Sequence, residues 1–378
     1  MHALFLAPDT HIYNHCFVRA LKSLGIRVSA IGTASVGQLS APVRKLLDGY
    51  RRCPSPLDQA AMRKAADELA SPGFDRVETI DEPLVESAAM LRHHFGLPGL
   101  SVETARLCRD KVAMKEFLRQ RGIACARSGA VHDIAEAHAF AEREGYPLIL
   151  KPVAGFGSLA TYRVGDRAEL DAALAKLKPS AGRPIAIEEF IEGHEGFYDT
   201  ICDDRGIRHD FVSHYYPGCL EATRNRSVSP QIAVTNRIED GGYGELRAMG
   251  KAVIEALGIR HAATHMEWFF GPKGLKFSEI GARPAGEMIW DMYRVANDFD
   301  VYREWALAIL DRPSEQRPSR RCAAGSVQIR PDRDGRYAGH RGLQEAMRTF
   351  EKDIYDMAIP KPGTPTKPLD KGWLVNTW

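Results

Sequence analysis

Two glutamates in the second half of the chain stand where they could share a metal ion. Residues 265–270 (HMEWFF) and 275–280 (LKFSEI) are rich in aromatic and aliphatic side chains, which favours strands, and the Gly271-Pro-Lys-Gly274 cluster between them favours a tight connection. If the loop comprises three residues, Glu267 lies directly opposite Glu279. Two facing carboxylates repel each other, and a divalent cation between them would remove that cost.

Carboxylate oxygens of this kind suit Mg²⁺, with nucleotide phosphates completing its coordination. Arg283 lies on the same face, two residues beyond Gly281, where its guanidinium could bind a phosphate or a carboxylate through two hydrogen bonds. Two alternatives stay open at this point. Glu267 and Glu279 could be unrelated side chains on a solvated sheet face, and a shorter loop, of two residues, would shift the pairing by one.

Earlier in the chain, an apolar strand ends in a lysine and runs into two glycines. The stretch Lys151-Pro-Val-Ala-Gly155-Phe-Gly157-Ser158 combines an ammonium group with backbone N–H groups that can approach phosphate oxygens. The spacing excludes a P-loop. It does fit G-x-G-x-x-A, but a dinucleotide fingerprint requires a helix directly afterwards, and residues 160–164 predict a strand. A glycine hairpin lying over phosphates is therefore preferred, with an ordinary turn and an exposed lysine as the alternative.

The start of the chain predicts the scaffold that holds these groups. Residues 3–7 indicate a buried strand, residues 17–24 a helix that stops at Gly25, and residues 26–31 a second strand. A β-α-β start favours a parallel sheet with helices on its faces. The loop from Pro8 to Asn14 lacks the glycines that would cradle a dinucleotide. We therefore expect the first hundred or so residues to be a scaffold that could contribute substrate contacts.

Together and in this order, the motifs resemble those of the ATP-grasp superfamily, in its carbamoyl-phosphate-synthase-like and carboxylate–amine ligase branch. The set comprises Arg109-Asp-Lys111 at a helix start, Lys151-Pro152 before the glycines, residues 188–195 (EEFIEGHE), the two glutamates and Ala282-Arg-Pro284. The resemblance implies an α/β and α+β fold in which two lobes enclose ATP beside an N-terminal Rossmann-like domain. The boundaries that it implies are 1–100 for the Rossmann-like domain, 101–187 for the small lobe, 188–310 for the large lobe and 311–378 for a segment completing the large lobe.

The resemblance also implies roles for single residues. Those implied for nucleotide binding are Lys111, Lys151, Gly155, Gly157, Ser158, Glu188, Glu189, Ile191 and Glu195; those for the metal are Glu267 and Glu279; and the catalytic cation is Arg283. Both lysines would bind phosphates, Glu188 would accept the adenine amino group, and Glu195 would bind the ribose. Glu189 and Ile191 would meet the adenine through their backbone. Gly281 is a departure, because many members have asparagine there as a third metal ligand; water would replace it, or the metal would be held less tightly.

The implied reaction begins with attack of a substrate carboxylate on the γ-phosphate of ATP. ADP and an acyl phosphate form, and an amine or amino acid then displaces phosphate. Mg²⁺ or Mn²⁺, the lysines and the arginine would stabilise the transferring group electrostatically. Two alternatives remain. One is an enzyme that activates bicarbonate, as biotin carboxylase and carbamoyl-phosphate synthase do, and the other is a non-catalytic ATP-binding protein with the same fold.

Composition restricts the class of protein further. The 378 residues suggest two or three domains, and 44% hydrophobic with 26% charged residues is ordinary for a soluble enzyme. A net charge of +2 gives no reason to expect a nucleic-acid or membrane partner, and the start lacks a basic leader, so we expect no signal peptide. Seven scattered cysteines without a CxxC pair favour reduced thiols in the cytoplasm. We expect small-molecule carboxylate and amine substrates, and a homodimer is one assembly open to the chain.

Overall fold

The computed structural model describes residues 1–11, 13–153, 160–286, 288–331 and 333–366. Within these residues the strands form three sheets, and the structure is of the mixed α/β class that the sequence predicts. In the same residues, no helix is long and apolar enough to cross a membrane.

The first sheet is parallel, as the β-α-β start predicts. Its strands are β1 (His2–Leu6), β2 (Arg27–Gly32), β3 (Gly49–Arg52) and β4 (Arg76–Thr79), in the order β3-β2-β1-β4, and its helices are α1 (Asn14–Ser23), α2 (Ala41–Leu46), α3 (Gln59–Asp67) and α4 (Val85–Phe95). Every residue of β1 is buried, because the apolar run supplies side chains to both faces of the sheet. Since β1 and β4 pair in parallel, the loops that follow them leave from the same edge.

The second sheet is antiparallel and small. Helices α5 (Val102–Arg109) and α6 (Lys111–Arg119) precede it. Its strands are β5 (Ser128–Val131), β6 (Leu148–Pro152), β7 (Tyr162–Val164) and β8 (Ile185–Glu189), in the order β5-β8-β6-β7. Helix α7 (Ile134–Glu144) connects β5 to β6, and helix α8 (Arg167–Leu177) connects β7 to β8. Strand β7 pairs antiparallel with β6, so a strand follows the glycines, as residues 160–164 predict. Strand β8 runs past residue 187, where a lobe boundary was expected.

The third sheet is the largest and has the order β13-β12-β9-β10-β11-β14 in the described residues. Its elements are β9 (His194–Asp203), β10 (Gly206–Tyr216), α9 (Cys219–Arg224), β11 (Gln231–Val234), α10 (Gly244–Leu257), β12 (Ala262–Gly271), β13 (Gly274–Gly281), α11 (Ile289–Asn297), α12 (Val301–Ile309), β14 (Ala324–Val327) and α13 (Leu343–Phe350). Alternate residues of β9 join different cores: Phe197 packs with α1, α11 and α12, and Tyr198 packs with α10. The aromatic ring of Phe17 on α1 lies 5.0 Å from that of Trp305 on α12, which joins the first sheet to the third.

Candidate active site

Strands β12 and β13 form the predicted hairpin, and Glu267 lies opposite Glu279. The connection that leads to this pairing differs from the predicted three-residue loop. Gly271 pairs with Gly274, so the loop has only two residues, which by itself would shift the pairing by one. A β-bulge at Ser278 adds one residue to β13 and restores the alignment. The bulge, not the loop, therefore places the two carboxylates on facing positions.

Two lysines approach Glu279 from the other side of the site. Lys111 Nζ lies 3.3 Å from Glu279 Oε2, and Lys151 Nζ lies 3.8 Å from the same oxygen. Burial alone would raise the pKa of Glu279, but the charges of Lys111 and Lys151 lower it, so this carboxylate is ionised at neutral pH. The alternative of an exposed lysine is wrong, because the side chain of Lys151 is only 13% exposed.

A third lysine, Lys115, is buried one helical turn after Lys111. Its Nζ lies 2.6 Å from Glu188 Oε2, and Lys151 Nζ lies 3.2 Å from Glu188 Oε1. Burial alone would raise the pKa of Glu188, but the charges of Lys115 and Lys151 lower it to about 2. The carboxylate that the resemblance assigns to the adenine amino group therefore faces two ammonium groups in this structure.

Several titratable side chains surround Glu267. Glu195 on β9 is nearly buried, and burial together with the charge of Glu267 raises its pKa to about 8. His265 Nε2 lies 3.8 Å from Glu267 Oε1, and its Nδ1 lies 2.8 Å from Asp199 Oδ1. Burial alone would lower the pKa of His265, but Asp199 raises it to about 9. Carboxylates crowded in this way are the donor set that a hard divalent cation requires.

The candidate metal site is incomplete with protein ligands alone. In the described part of the chain, no group of three or more His, Cys, Asp or Glu side chains is arranged to hold a metal ion. Glu267 and Glu279 fit a cation whose remaining ligands are water and phosphate oxygens, which is how Mg²⁺ is commonly bound beside a nucleotide.

Arg283, at the end of the hairpin, is held by a residue from the first sheet. Its Nε donates to Glu82 Oε2 at 2.7 Å and its Nη1 donates to the carbonyl of Pro284 at 2.9 Å. Glu82 Oε1 accepts from Arg109 Nη1 at 2.7 Å. Burial alone would raise the pKa of Glu82, but Arg283 and Arg109 lower it. Arg283 is therefore a fixed cation at the edge of the site.

Most of these groups line one cavity of about 960 Å³, and Arg109 and Asp199 stand behind them as partners of lining residues. Residues from the three sheets contribute to its wall: Thr10, Tyr13, Glu82, Lys111, Lys115, Lys151, Glu188, Glu195, Glu267, Glu279 and Arg283. The loops after β1 and β4 reach it together because parallel strands end at the same edge. The first sheet therefore contributes directly to the cavity wall, which agrees with the expected scaffold.

Comparison with known families supports this arrangement. Residues 110–285 match the family model described as "Carbamoyl-phosphate synthase L chain, ATP binding domain". The matched residues, just under half of the chain, correspond to an ATP-grasp domain. That assignment confirms the resemblance drawn from the motifs, since the matched residues begin at Asp110, beside Lys111, and end just after Arg283.

Relatives and solved structures agree on the ATP-grasp fold. The chain is 28% identical over 237 residues to the L-arginine-specific L-amino acid ligase of Bacillus subtilis (61% of this chain and 56% of the relative), and 27% identical over 245 residues to a phosphoribosylamine–glycine ligase of Ralstonia nicotianae (59% and 58%). The L-amino acid ligase from Bacillus licheniformis superposes with a TM-score of 0.73 at 19% identity, covering 97% of this chain and 89% of that one. The chain spans less than two thirds of the length of the two sequence relatives.

The segment from 188 to 191 of the ATP-grasp domain borders the same cavity. The Glu189 carboxylate accepts hydrogen bonds from the backbone N–H of Arg127 at 3.0 Å and from Lys273 Nζ at 2.9 Å. The side chain of Ile191 is buried. Their backbone contacts to adenine stay a prediction, as does the ribose role of Glu195. Gly155, Gly157 and Ser158 lie outside the described residues.

Sequence reasoning missed three residues that line this cavity. Lys115 follows Lys111 by four residues, which puts both on one face of a helix, so its position was available as a clue. His265 was given no role in the sequence analysis, yet it lines the cavity next to Glu267. Glu82 carried no local clue, because its partner Arg283 is 201 residues away.

Replacing Lys151 with alanine is expected to weaken ATP binding. A charged hydrogen bond to phosphate contributes about 1.5–3 kcal/mol, so the dissociation constant measured by calorimetry should rise by about tenfold or more. Lys251→Ala is the matched control, because that side chain is 70% exposed on α10 and far from the cavity wall. Wild-type ATP affinity in the Lys151 variant would contradict the phosphate role.

Proposed function

We propose that this protein is an ATP-dependent, ADP-forming ligase that activates a substrate carboxylate as an acyl phosphate for attack by an amine or amino acid. The observation that carries the proposal is the convergence of Glu267, Glu279, Lys111, Lys151 and Arg283 on one cavity. Transfer of a phosphoryl group requires that its negative charge be neutralised. Opposed carboxylates that suit a divalent cation, two lysines and a fixed arginine meet that requirement. Both sequence relatives are named as ligases for an amino acid, which supports an amino acid as one substrate.

Each group has a separate task in this proposal. Glu267 and Glu279 would hold Mg²⁺ or Mn²⁺, which supplies charge neutralisation at the phosphates. Lys111 and Lys151 bind phosphate oxygens, and in doing so exchange their contacts with Glu279 for contacts with ATP. Arg283 stabilises the charge on the transferring group and orients the attacking carboxylate.

The second substrate would enter next to Arg283. The loops after β1 and β4 line the cavity there with Thr10, Tyr13 and Asp81, together with Met288 and Ile289 of the third sheet's helical layer. A wall that combines polar and apolar groups suits a small organic molecule. We place the reaction in the cytoplasm, supported by seven free cysteines, most of them buried.

Nucleotide and metal dependence test the proposal. Calorimetry should show binding of ATP that requires Mg²⁺ or Mn²⁺ and that exceeds the binding of GTP, because the segment from 188 to 191 offers a hinge for adenine. Phosphate release from ATP should then depend on a carboxylate and an amine drawn from a panel. Release with bicarbonate alone would favour a bicarbonate-activating enzyme. Equal affinity for ATP and GTP, unchanged by a chelator, would contradict the nucleotide site itself.

A further inference from the structure

The backbone at Gly281 leaves room for a carboxylate from another part of the chain. A Cβ at position 281 would lie 2.9 Å from Glu82 Oε2 and 3.6 Å from both Cγ and Nε of Arg283. The first of these distances is too short for a carbon and an oxygen that are not hydrogen-bonded. A side chain at 281 would therefore displace the carboxylate of Glu82, whereas its contacts with Arg283 would be ordinary van der Waals contacts.

Glu82 itself is held in a defined place. It is the third residue after β4, and the backbone N–H of the preceding Asp81 donates to the Thr79 hydroxyl at 3.1 Å. Its side chain is only 12% exposed, and each of its two oxygens accepts from a different arginine. The loop thus inserts one carboxylate between the end of α5 and the end of β13, where Arg109 and Arg283 stand.

The contacts of Arg283 show what that carboxylate does. Its Nε and Nη1 donate to Glu82 and to the Pro284 carbonyl, which together fix the plane of the guanidinium. Glu82 is not a third metal ligand, since no three acidic, His or Cys side chains in the described residues are grouped to bind a metal. Its carboxylate is instead engaged by two cations.

We propose that Glu82 is a positioning residue that orients Arg283 toward the transferring phosphoryl group, and that glycine at position 281 leaves room for its carboxylate. The proposal rests on the proposed function for the role of Arg283. It makes the first sheet part of the catalytic apparatus, because the orientation of Arg283 depends on a loop contributed by that sheet. A fixed guanidinium costs less reorganisation during the reaction than a mobile one.

The test compares two ligand states of the intact chain, MgATP and MgADP with aluminium fluoride, which imitates the transferring group. In the wild type, aluminium fluoride should tighten the binding of MgADP measured by calorimetry. Glu82→Gln keeps the shape and removes the charge, and it should reduce that gain by about tenfold or more while the affinity for MgATP changes little. Gly281→Ala should have the same effect. Glu68→Gln, which breaks an exposed ion pair with Arg51, is the matched control and should change neither.

Combining the changes tests the steric part. In a Glu82→Ala background, Gly281→Ala should add less than about a twofold loss, because the group it collides with is gone. The positioning role would be overturned if the effects of Glu82→Ala and Gly281→Ala were fully additive, or if a variant lost as much affinity for MgATP as for MgADP with aluminium fluoride. It would also be overturned if aluminium fluoride tightened the binding of MgADP in Glu82→Gln and Gly281→Ala as much as in the wild type. A wild-type chain that shows no gain from aluminium fluoride would overturn the proposed function, and the role of Glu82 with it. Melting temperatures of all variants show whether each one is folded.

Discussion

Replacing either Glu267 or Glu279 with glutamine is expected to abolish Mg²⁺-dependent turnover of ATP. If both carboxylates hold one cation, the loss of either removes the charge that stabilises the transferring phosphoryl group. The double variant should then be little worse than either single one, because residues that act as a unit are not additive. Phosphate release at saturating Mg²⁺ and ATP measures the effect.

Thermal unfolding of the same variants separates a metal site from a solvated sheet face. Without metal, Glu279→Gln should lower the melting temperature more than Glu267→Gln, because Glu279 loses contacts with the two ammonium groups of Lys111 and Lys151, whereas Glu267 loses a longer contact with His265 at 3.8 Å. With Mg²⁺ and ATP, the rise in melting temperature should shrink in both variants. Variants that melt and turn over like the wild type under those conditions would contradict the metal site and weaken the proposed function.

Replacing Lys115 with methionine is expected to cost on the order of 3 kcal/mol of the free energy of unfolding, the lower end for breaking a buried ion pair, because Glu188 loses its nearer cation and retains Lys151 at 3.2 Å. Lys115 is 1% exposed and Glu188 is 7% exposed at their side chains. Chemical denaturation should therefore show a large fall in the midpoint. Adding Glu188→Gln should recover part of the loss, since the buried carboxylate that lost its nearer cation is then neutral.

Two controls make the Lys115 result specific. Lys251→Met, at an exposed position on α10 within one turn of its partner Glu255, should leave the midpoint close to that of the wild type. Lys151→Ala should cost less stability than Lys115→Met, since Glu188 retains Lys115 as a partner. A Lys115→Met variant with wild-type stability would show that the buried pair is not needed for folding.

Local patterns determined much of the fold and part of the site. The apolar run at residues 3–7 predicted the buried strand β1, because a strand covered on both faces needs apolar residues at every position. Asp110 accepts hydrogen bonds from the backbone of Val112 and Ala113, so the helix that presents Lys111 begins where a capping residue predicts. The strand after the glycines was likewise readable. In each case the determining interactions lie within a few residues.

The pairing of Glu267 with Glu279 marks the limit of such reasoning. The assumption of a three-residue loop predicted the correct pair, but the loop has two residues. The bulge at Ser278 that restores the register was not readable from the hairpin sequence. Whether a strand bulges depends on what packs against it. Here the backbone N–H of Phe277, beside the bulge, donates to the carbonyl of Ala124, a residue from the region before the second sheet.

Only the tertiary structure decided which charges meet. The sequence named Lys151 and Glu188 without showing that they contact each other, left Lys115 unnoticed, and gave no indication that Glu82 would reach Arg283 across 201 residues. Periodicity and caps act over one or two turns of chain, so they specify elements. The alignment of Glu82, Arg109 and Arg283 depends instead on how the first sheet packs against the third, and that packing is set by apolar surfaces such as the contact of Phe17 with Trp305. The chemistry of the site therefore depends on burial far from the charges themselves.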